Sequence, residues 1–356
     1  MSHNSLPALP YAMPPEWDVH QRTFISWPVQ DSMVYPENFA AVQSWYLELV
    51  LAIAEFEPAA VLVNPKQLEQ VQELIEKRQA QPGRPPCQDI DLLLIPHNDA
   101  WIRDNGPTFL KDPAGHLAAV NWQFNAWGGK YAPWDLDDAV APAILAQYNV
   151  TRLDAPLVME GGSLHVDGEG TLLTTEECLL NPNRNPSLSR EQIEAHLREY
   201  LGIKSVIWLK RGLSGDETDG HVDNIACFAA PGQVLIQVCD DPEDENFAIT
   251  QENLAILEAA TDARGRTLEI VKIPQPPRAE YKGKRLTLSY LNFYFVNGGI
   301  ILPVFGGDAA EADEQAAAIL HSLYPGRRIR RIDGMPIISE GGNVHCTTQQ
   351  MPEGIA

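Results

Sequence analysis

The segment Glu340-Gly341-Gly342-Asn343-Val344-His345-Cys346 repeats a pattern found much earlier in the chain, in Glu160-Gly161-Gly162-Ser163-Leu164-His165. Both segments read Glu-Gly-Gly-x-aliphatic-His. A repeat of this kind predicts a fold built by duplicating one unit. The later copy ends at a cysteine, in the setting of a glycine turn that leads into a strand. Cys346 is therefore a candidate nucleophile.

Composition excludes several classes of function. The chain has 356 residues, 44% hydrophobic and 21% charged, which is typical of soluble globular proteins. Its formal net charge of −22 argues against nucleic-acid binding, which needs clustered lysine and arginine. The charge either attracts a cationic ligand or serves solubility alone, and it does not decide between the two. No apolar run is long enough to cross a membrane. Length alone suggests about two domains, although one domain built from repeats also reaches it.

The N-terminus and the cysteines indicate a reducing location. Residues 1–10 lack a basic stretch followed by an apolar one, so they do not resemble a signal peptide. The five cysteines are odd in number and scattered, and no Cys-x-x-Cys pair occurs. Neither a disulfide framework nor a structural zinc site is expected, and the cytoplasm is the expected location.

Helical and strand-like segments alternate from end to end. Apolar residues recur at helical spacing in residues 39–56, 67–79, 253–260 and 309–323. Ser189 and Gln192 form the pattern of a capping box, and Gly202 ends the helix that it opens. Strand-like apolar runs lie at residues 60–63, 90–95, 206–209, 234–238, 268–273, 300–304 and 328–332. Short strands between helices predict an α/β fold.

Two His-x-Asp pairs are candidates for acid/base chemistry. On a strand, His165 and Asp167 would share one face, and so would His221 and Asp223. A histidine beside a carboxylate suits general acid/base catalysis or cation binding, and equally a structural hydrogen bond. Spacing does not choose between the pairs, although His221 has further carboxylates beside it.

The short cluster around Trp101 also has two interpretations. Asp99 and Asp104 bracket Trp101 and Arg103. Carboxylates bind a guanidinium through paired hydrogen bonds, and tryptophan offers its face to a cation. The cluster is therefore either a ligand cradle or a buried Asp–Arg bridge with tryptophan in the core.

The role of Cys346 also has more than one interpretation. It is either a reactive thiolate, activated by a neighbouring histidine or cation, or an inert buried thiol. A metal site is a third alternative, for which no specific ligand spacing exists. Its candidate ligands would be His165, Asp167, His221, Asp223 and Cys346.

Longer motifs occur in order along nearly the whole chain. They are MPPEW (13–17), SWP (26–28), DAWIRDNGPTF (99–109), EGGSLHVDGEGT (160–171), TEECLLNPNRNP (175–186), GDETDGHVDNIACF (215–228), SYLNFY (289–294), NGGIILPVFG (297–306) and GGNVHCTTQQ (341–350). Together they closely resemble the agmatine deiminases, a family of guanidino-group-modifying enzymes. The last motif departs from the family pattern, because Glu340 stands where a third glycine is usual.

The resemblance implies both a fold and a site. The fold would be one catalytic α/β domain over residues 1–356, a five-bladed propeller of ββαβ units around a central site, which would account for the repeat. The implied nucleophile is Cys346, the acid/base is His221 rather than His165, and Asp104 and Asp223 bind the guanidinium. The further substrate-binding residues are Trp101, Glu160 and Glu217.

The implied reaction is hydrolysis of agmatine to N-carbamoylputrescine and ammonia, a step in putrescine biosynthesis. It would pass through a thiouronium on cysteine and need no cofactor and no metal. The expected partner is a small cationic guanidino substrate, with no nucleic acid and no membrane, and a homo-oligomer is left open. The alternatives are deimination of arginine or peptidyl arginine, metal-dependent hydrolysis, and non-catalytic binding of polyamines.

Overall fold

A computed structural model describes residues 10–356 of the protein, so most of the N-terminal stretch considered above, residues 1–10, lies outside the described residues. The described chain has an α/β fold, as predicted. Its strands are β1 (His20–Ser26), β2 (Ala59–Val63), β3 (Ile90–Leu94), β4 (Thr108–Lys111), β5 (Leu117–Gln123), β6 (Thr151–Val158), β7 (Leu164–Val166), β8 (Thr171–Thr175), β9 (Ser205–Leu209), β10 (Ala226–Ala230), β11 (Gln233–Val238), β12 (Glu269–Pro274), β13 (Glu280–Tyr281), β14 (Lys284–Arg285), β15 (Tyr294–Val296), β16 (Gly299–Val304), β17 (Arg328–Asp333) and β18 (Gln349–Pro352).

The helices lie between the strands. They are α1 (Phe39–Ala54), α2 (Leu68–Gln79), α3 (Ile102–Asn105), α4 (Ala126–Gly129), α5 (Asp135–Asp138), α6 (Val140–Gln147), α7 (Glu176–Leu179), α8 (Arg190–Leu201), α9 (Glu245–Ala259), α10 (Ala310–Leu323) and α11 (Met335–Ile338). Within residues 10–356, no helix combines the length and the apolar character that a bilayer crossing needs.

Five sheets in the described chain share one pattern of strand pairing. In β4-β5-β6, β7-β8-β9, β10-β11-β12 and β15-β16-β17, the first pair of strands is antiparallel and the second pair is parallel. The fifth sheet follows the same pattern as β18-β1-β2 and adds β3. Parallel neighbours need a crossover connection, which contains helix in every case, so each unit reads ββαβ.

Local sequence signals explain several elements. Ser189 accepts a hydrogen bond from the Gln192 N–H, and the Gln192 side chain reaches back to the Ser189 N–H at 2.8 Å, so the predicted capping box is confirmed. Gly202 ends α8 in the left-handed conformation with φ of 67°. Strand β2 is buried along its whole length, as expected of a strand inside a partly parallel sheet.

The helix predicted at residues 253–260 begins earlier, at Glu245, with Asp244 as its N-cap. Its first half buries polar side chains that bond to neighbouring loops, which weakens the apolar period. Asn246 accepts from the Ser214 N–H at 2.7 Å, and Thr250 accepts from the Cys239 N–H at 3.1 Å. The apolar period was therefore visible only in the second half of the helix.

The strand geometry expected for the two His-x-Asp pairs is wrong for the second pair. His165 lies on β7, but residues 222–224 form a single 3-10 turn before β10. His221 and Asp223 consequently reach different neighbours instead of sharing one strand face.

Candidate active site

Each of the five sheets is entered through a short segment that carries a buried polar side chain. Asp104 precedes β4, Glu160 precedes β7, Asp223 precedes β10, Asn292 precedes β15 and Cys346 precedes β18. The segments contact one another: Cys346 touches Asn292 and Asp223, and Asp104 contacts the segment that follows Glu160. Equivalent positions of the repeated unit thus form a single polar cluster.

Cys346 is buried among hydrogen-bonding groups. Its Sγ receives the Asn292 side-chain N–H at 3.1 Å and lies 3.4 Å from Asp223 Oδ2, to which the thiol can donate. Burial, followed by the negative charges of Asp223 and Asp104, raises the pKa of the Cys346 thiol well above its usual value. Without a ligand the residue is therefore a neutral thiol, and a cation between these carboxylates would favour its ionisation.

Asp104 is held through both of its oxygens. Oδ1 accepts the Gly162 N–H at 3.0 Å, and Oδ2 accepts the indole N–H of Trp127 at 2.8 Å. Burial raises the pKa of Asp104 to about 6, although the neighbouring His221 opposes the rise. The carboxylate is thus oriented by two donors before any ligand arrives.

His221 is fully buried between two carboxylates. Its Nδ1 lies 3.7 Å from Asp104 Oδ1, and its Nε2 lies 3.6 Å from Glu160 Oε2. Neither ring nitrogen has a hydrogen-bond partner among the described residues. Burial disfavours the charged ring, yet Asp104 and other neighbours raise the pKa of His221 well above its usual value. A protonated ring with free N–H groups can act as a general acid.

Asp223 belongs to a buried chain of charged groups. Its Oδ2 contacts His345 Nδ1 at 3.0 Å, and His345 Nε2 contacts Glu16 at 2.9 Å. Burial opposes ionisation, but the hydrogen bond and charge of His345 keep the pKa of Asp223 below its usual value. Asp223 Oδ1 has no partner within residues 10–356, so this oxygen can receive a ligand.

Glu160 is fully buried and faces away from solvent. Its Oε1 accepts from Arg184 Nε at 2.7 Å, and Arg184 also binds Asp219 and the Thr218 carbonyl. Burial raises the pKa of Glu160, but His221 and Arg184 outweigh this and keep it below its usual value. Glu160 therefore contacts His221 as a carboxylate.

The second glycine of each Glu-Gly-Gly segment allows close approach to the site. A Cβ on Gly162 would lie 2.6 Å from His221 Nδ1 and 2.9 Å from Asp104 Oδ1. A Cβ on Gly342 would lie 2.6 Å from the Trp101 ring and 2.9 Å from the Cys346 Cβ. Any larger residue would push these groups apart, which gives a physical reason for the repeated motif.

A cavity opens onto Cys346 and Asp104. Its wall also contains Trp101, which is predominantly buried, and Glu217 at the outer part. The remaining polar or aromatic groups of the wall include Asp99, Trp127, Tyr131 and Glu340. Of the described residues that line this cavity, none is lysine or arginine, so its charge is negative.

The outer wall is fixed by hydrogen bonds. Tyr131 donates its hydroxyl hydrogen to Glu217, and Lys284 Nζ lies 3.4 Å from Glu217 Oε1. Glu340 accepts the Val34 N–H at 2.9 Å, which ties the nucleophile's segment to the loop after β1. Glu340 therefore adds a half-buried carboxylate to the wall of the cavity.

The Asp–Arg bridge considered for the Trp101 cluster is not formed. Arg103 Nη1 instead lies 3.4 Å from Glu16 Oε1, and its Nε donates to the His345 carbonyl. This leaves Asp104 available to the cavity.

The five metal ligands considered above do not form one group with metal-compatible spacing, since His165 and Asp167 have other partners. His165 accepts the Phe228 N–H at 3.2 Å, and Asp167 holds the turn before β8 by accepting from Glu169 and Thr171. Within residues 10–356, the one group of side chains with metal-compatible spacing consists of Glu160, Cys178 and His221.

Several residues of the cluster were not singled out from the sequence. Asn292 bonds to Cys346 and Trp127 bonds to Asp104, Arg184 pairs with Glu160, and Glu16 contacts His345, the partner of Asp223. The signal for Asn292 was its position before a short apolar strand, as for Asp104 and Cys346. No local signal distinguishes Glu16, which meets His345 only in the folded chain.

Comparison with known proteins identifies the family. Residues 12–352 match the Porphyromonas-type peptidyl-arginine deiminase family. The chain belongs to this family. Its resemblance to agmatine deiminases is also confirmed, since the chain is 44% identical over 365 residues to the agmatine deiminase of Stutzerimonas stutzeri, covering 96% of this chain and 95% of that one.

Solved structures agree with this assignment. The agmatine deiminase of Enterococcus faecalis superposes with a TM-score of 0.88 at 34% identity, over 96% of each chain. A serine variant of the C. jejuni agmatine deiminase with substrate bound superposes with a TM-score of 0.86 at 28% identity, over 97% of each chain. The similarity thus extends along the whole described fold of this family member.

Proposed function

We propose that the protein is an agmatine deiminase, which hydrolyses agmatine to N-carbamoylputrescine and ammonia. The observation that carries the proposal is a buried thiol, Cys346, beside the carboxylates of Asp104 and Asp223 at the base of a negatively charged cavity. The relatives named agmatine deiminase support the same reaction, and the family match supports deimination of a guanidino group. Its product retains the putrescine skeleton, which makes the reaction a step in putrescine biosynthesis.

Guanidinium binding would fall to the two aspartates. A planar guanidinium presents pairs of N–H donors, which match carboxylate oxygens in a bidentate arrangement. Asp223 offers its unpartnered Oδ1, and Asp104 is already oriented by its two donors. Trp101 supplies an aromatic face in the same cavity, which favours a cation.

Cys346 would then attack the central carbon. The bound cation offsets the charges of Asp104 and Asp223 that raise the pKa of the thiol, so the thiol loses its proton to water in the cavity once substrate is present and becomes a thiolate. Asn292 would stabilise the sulfur through its side-chain N–H. A carbon–sulfur bond forms, and His221 donates a proton to one nitrogen, which leaves as ammonia.

Hydrolysis would complete the cycle. The neutral His221 takes a proton from water, and the resulting hydroxide adds to the carbon of the thiouronium. The carbon–sulfur bond breaks as the added hydroxyl loses its proton to water, which releases the ureido product and the thiolate. His221 is again protonated, with Glu160 and Asp104 close enough to stabilise its charge.

The lining of the cavity favours agmatine over arginine. An α-carboxylate would have to enter a wall that contains Asp99, Glu217 and Glu340 and, within the described residues, no basic side chain. The ammonium group of agmatine meets no such repulsion. We expect kcat/KM for agmatine to exceed that for arginine and for an arginine peptide blocked at both ends. Ammonia release from the three compounds, measured with EDTA present, tests this expectation.

Each result of that assay decides a separate point. Higher kcat/KM for arginine would refute the substrate assignment and leave deiminase chemistry intact. No ammonia from any compound would favour a binding protein for polyamines. Loss of activity in EDTA, restored by zinc or manganese, would favour a metal at Glu160, Cys178 and His221.

Removing one guanidinium-binding charge should strongly reduce activity. Asp104→Asn and Asp223→Asn each preserve size but remove an ion pair from a shielded site. We expect transition-state stabilisation to fall by about 2–5 kcal/mol in each variant. The measurement is kcat/KM for agmatine, with unfolding temperature as the control for folding. A loss below threefold in both variants would contradict this role.

We also infer that the described sheets belong to one catalytic domain spanning residues 1–356, arranged as a five-bladed propeller. Support comes from five sheets with a common ββαβ order, and from the convergence of their entry segments on one polar cluster. Pairing of β18 with β1 joins the two ends of the described chain within one sheet. Limited proteolysis that yields an independently folded half would contradict a single domain.

A further inference from the structure

Trp127 lies in a backbone conformation that tryptophan rarely adopts. Residues Ala126, Trp127, Gly128 and Gly129 of α4 all have positive φ, at 52°, 54°, 90° and 77°. The turn is therefore left-handed, which is unfavourable for Ala126 and Trp127 because their Cβ atoms approach the backbone. Such strain persists only where surrounding contacts impose it, and it concentrates at functional sites.

The contacts that impose this turn are specific. Asn125 Oδ1 accepts the Gly128 N–H at 2.8 Å, and Asn125 Nδ2 donates to the Asn183 carbonyl at 3.0 Å. Gly128 packs so closely on Asn183 that a Cβ would lie 2.3 Å from its side-chain nitrogen. These contacts hold the turn against the segment that carries Arg184. In this conformation the indole N–H of Trp127 donates to Asp104 Oδ2 at 2.8 Å.

We propose that Trp127 is a positioning residue for Asp104, whose indole N–H fixes the carboxylate plane that receives the guanidinium of the substrate. The inference rests on the proposed deiminase function and adds Trp127, which has no role in the reaction steps given above. Gly162 holds Oδ1 and Trp127 holds Oδ2, so the carboxylate cannot rotate freely. Each oxygen keeps a lone pair for the ligand, because a carboxylate oxygen accepts two hydrogen bonds.

Trp127 also favours the ionised form of Asp104. Burial raises the pKa of Asp104 to about 6, and the hydrogen bond from Trp127 acts in the opposite direction. Removal of this donor should raise the pKa further, because the bond is made to the charged form. The fraction of enzyme with an ionised Asp104 would then fall at neutral pH and recover at higher pH.

The test is the pH profile of kcat/KM for agmatine in Trp127→Phe. We expect the acid limb to move to higher pH by roughly one unit, so that kcat/KM falls by about tenfold below the limb and by about twofold at neutral pH, and recovers in alkali. Trp122→Phe is the matched control. Trp122 is equally buried and donates its indole N–H to Thr108 Oγ1 at 2.9 Å, away from Asp104. Its acid limb should stay in place.

A second variant separates the hydrogen bond from the shape of the ring. Placing β-(3-benzothienyl)alanine at position 127 keeps the bicyclic ring and replaces the N–H with sulfur. It should reproduce the shifted acid limb even if Trp127→Phe folds poorly. An unshifted limb in this variant, or an equal shift in Trp122→Phe, would overturn the inference. Absence of agmatine turnover by the wild-type protein would instead refute the proposed function.

Discussion

Replacement of Cys346 by serine should abolish agmatine turnover while agmatine still binds. A serine hydroxyl ionises far less readily than a thiol, and the carboxylates near Cys346 make ionisation harder still. Loss of a covalent nucleophile typically lowers kcat by a factor on the order of 10⁴–10⁶. Asp104 and Asp223 remain in place, so guanidinium binding should persist.

Two measurements on Cys346→Ser check this expectation. Ammonia release gives the loss of turnover, and titration calorimetry with agmatine gives the retained affinity. Cys227→Ser is the matched control, because Cys227 is equally buried but lies on β10, outside the cavity wall. Turnover near the wild-type level in Cys346→Ser would end the covalent mechanism.

His221→Ala should lose much more activity than His165→Ala. His221 sits between Asp104 and Glu160 with both ring nitrogens free of hydrogen bonds within the described chain, as an acid/base group requires. His165 uses Nδ1 to accept a backbone N–H from β10, which is a structural role. We expect kcat to fall by about 10²–10⁴ in His221→Ala.

An effect of either histidine variant on catalysis has to be distinguished from an effect on folding. His165→Ala leaves the buried Phe228 N–H without its acceptor, so we expect a free energy of unfolding lower by about 1–3 kcal/mol with kcat nearly unchanged. Denaturant unfolding and single-turnover kinetics on both variants give these quantities. Equal kinetic losses, or a larger loss in His165→Ala, would assign the acid/base role to the wrong histidine.

The predictable part of the fold was the part with long apolar runs. Strands β2, β11 and β16 and helices α1, α2 and α10 were found within a few residues of their ends. The short first strands of the sheets, such as β7 and β15, were missed. Each follows directly after a polar entry segment and has only three residues, which is too short for an alternating apolar pattern to be recognised.

Some residues of the candidate site could be predicted from the sequence and others could not. The structure gathers Cys346, His221, Asp104 and Asp223 into one buried cluster, and those residues were marked beforehand by motif and resemblance. Their roles remain predictions. Glu16 lies in the quoted motif at residues 13–17, but its role was not predicted, because its partner His345 is far away in the sequence and comes near only in the folded chain. The strain at Trp127 was also invisible, since nothing in the neighbouring residues requires a tryptophan with positive φ.

Cys346 lies just before β18, the strand that completes the sheet begun by β1. We expect the thiol to reach the carboxylates of the site only once the C-terminal part of the described chain has paired with β1. Recovery of ammonia release during refolding from denaturant would then report the formation of that long-range pairing.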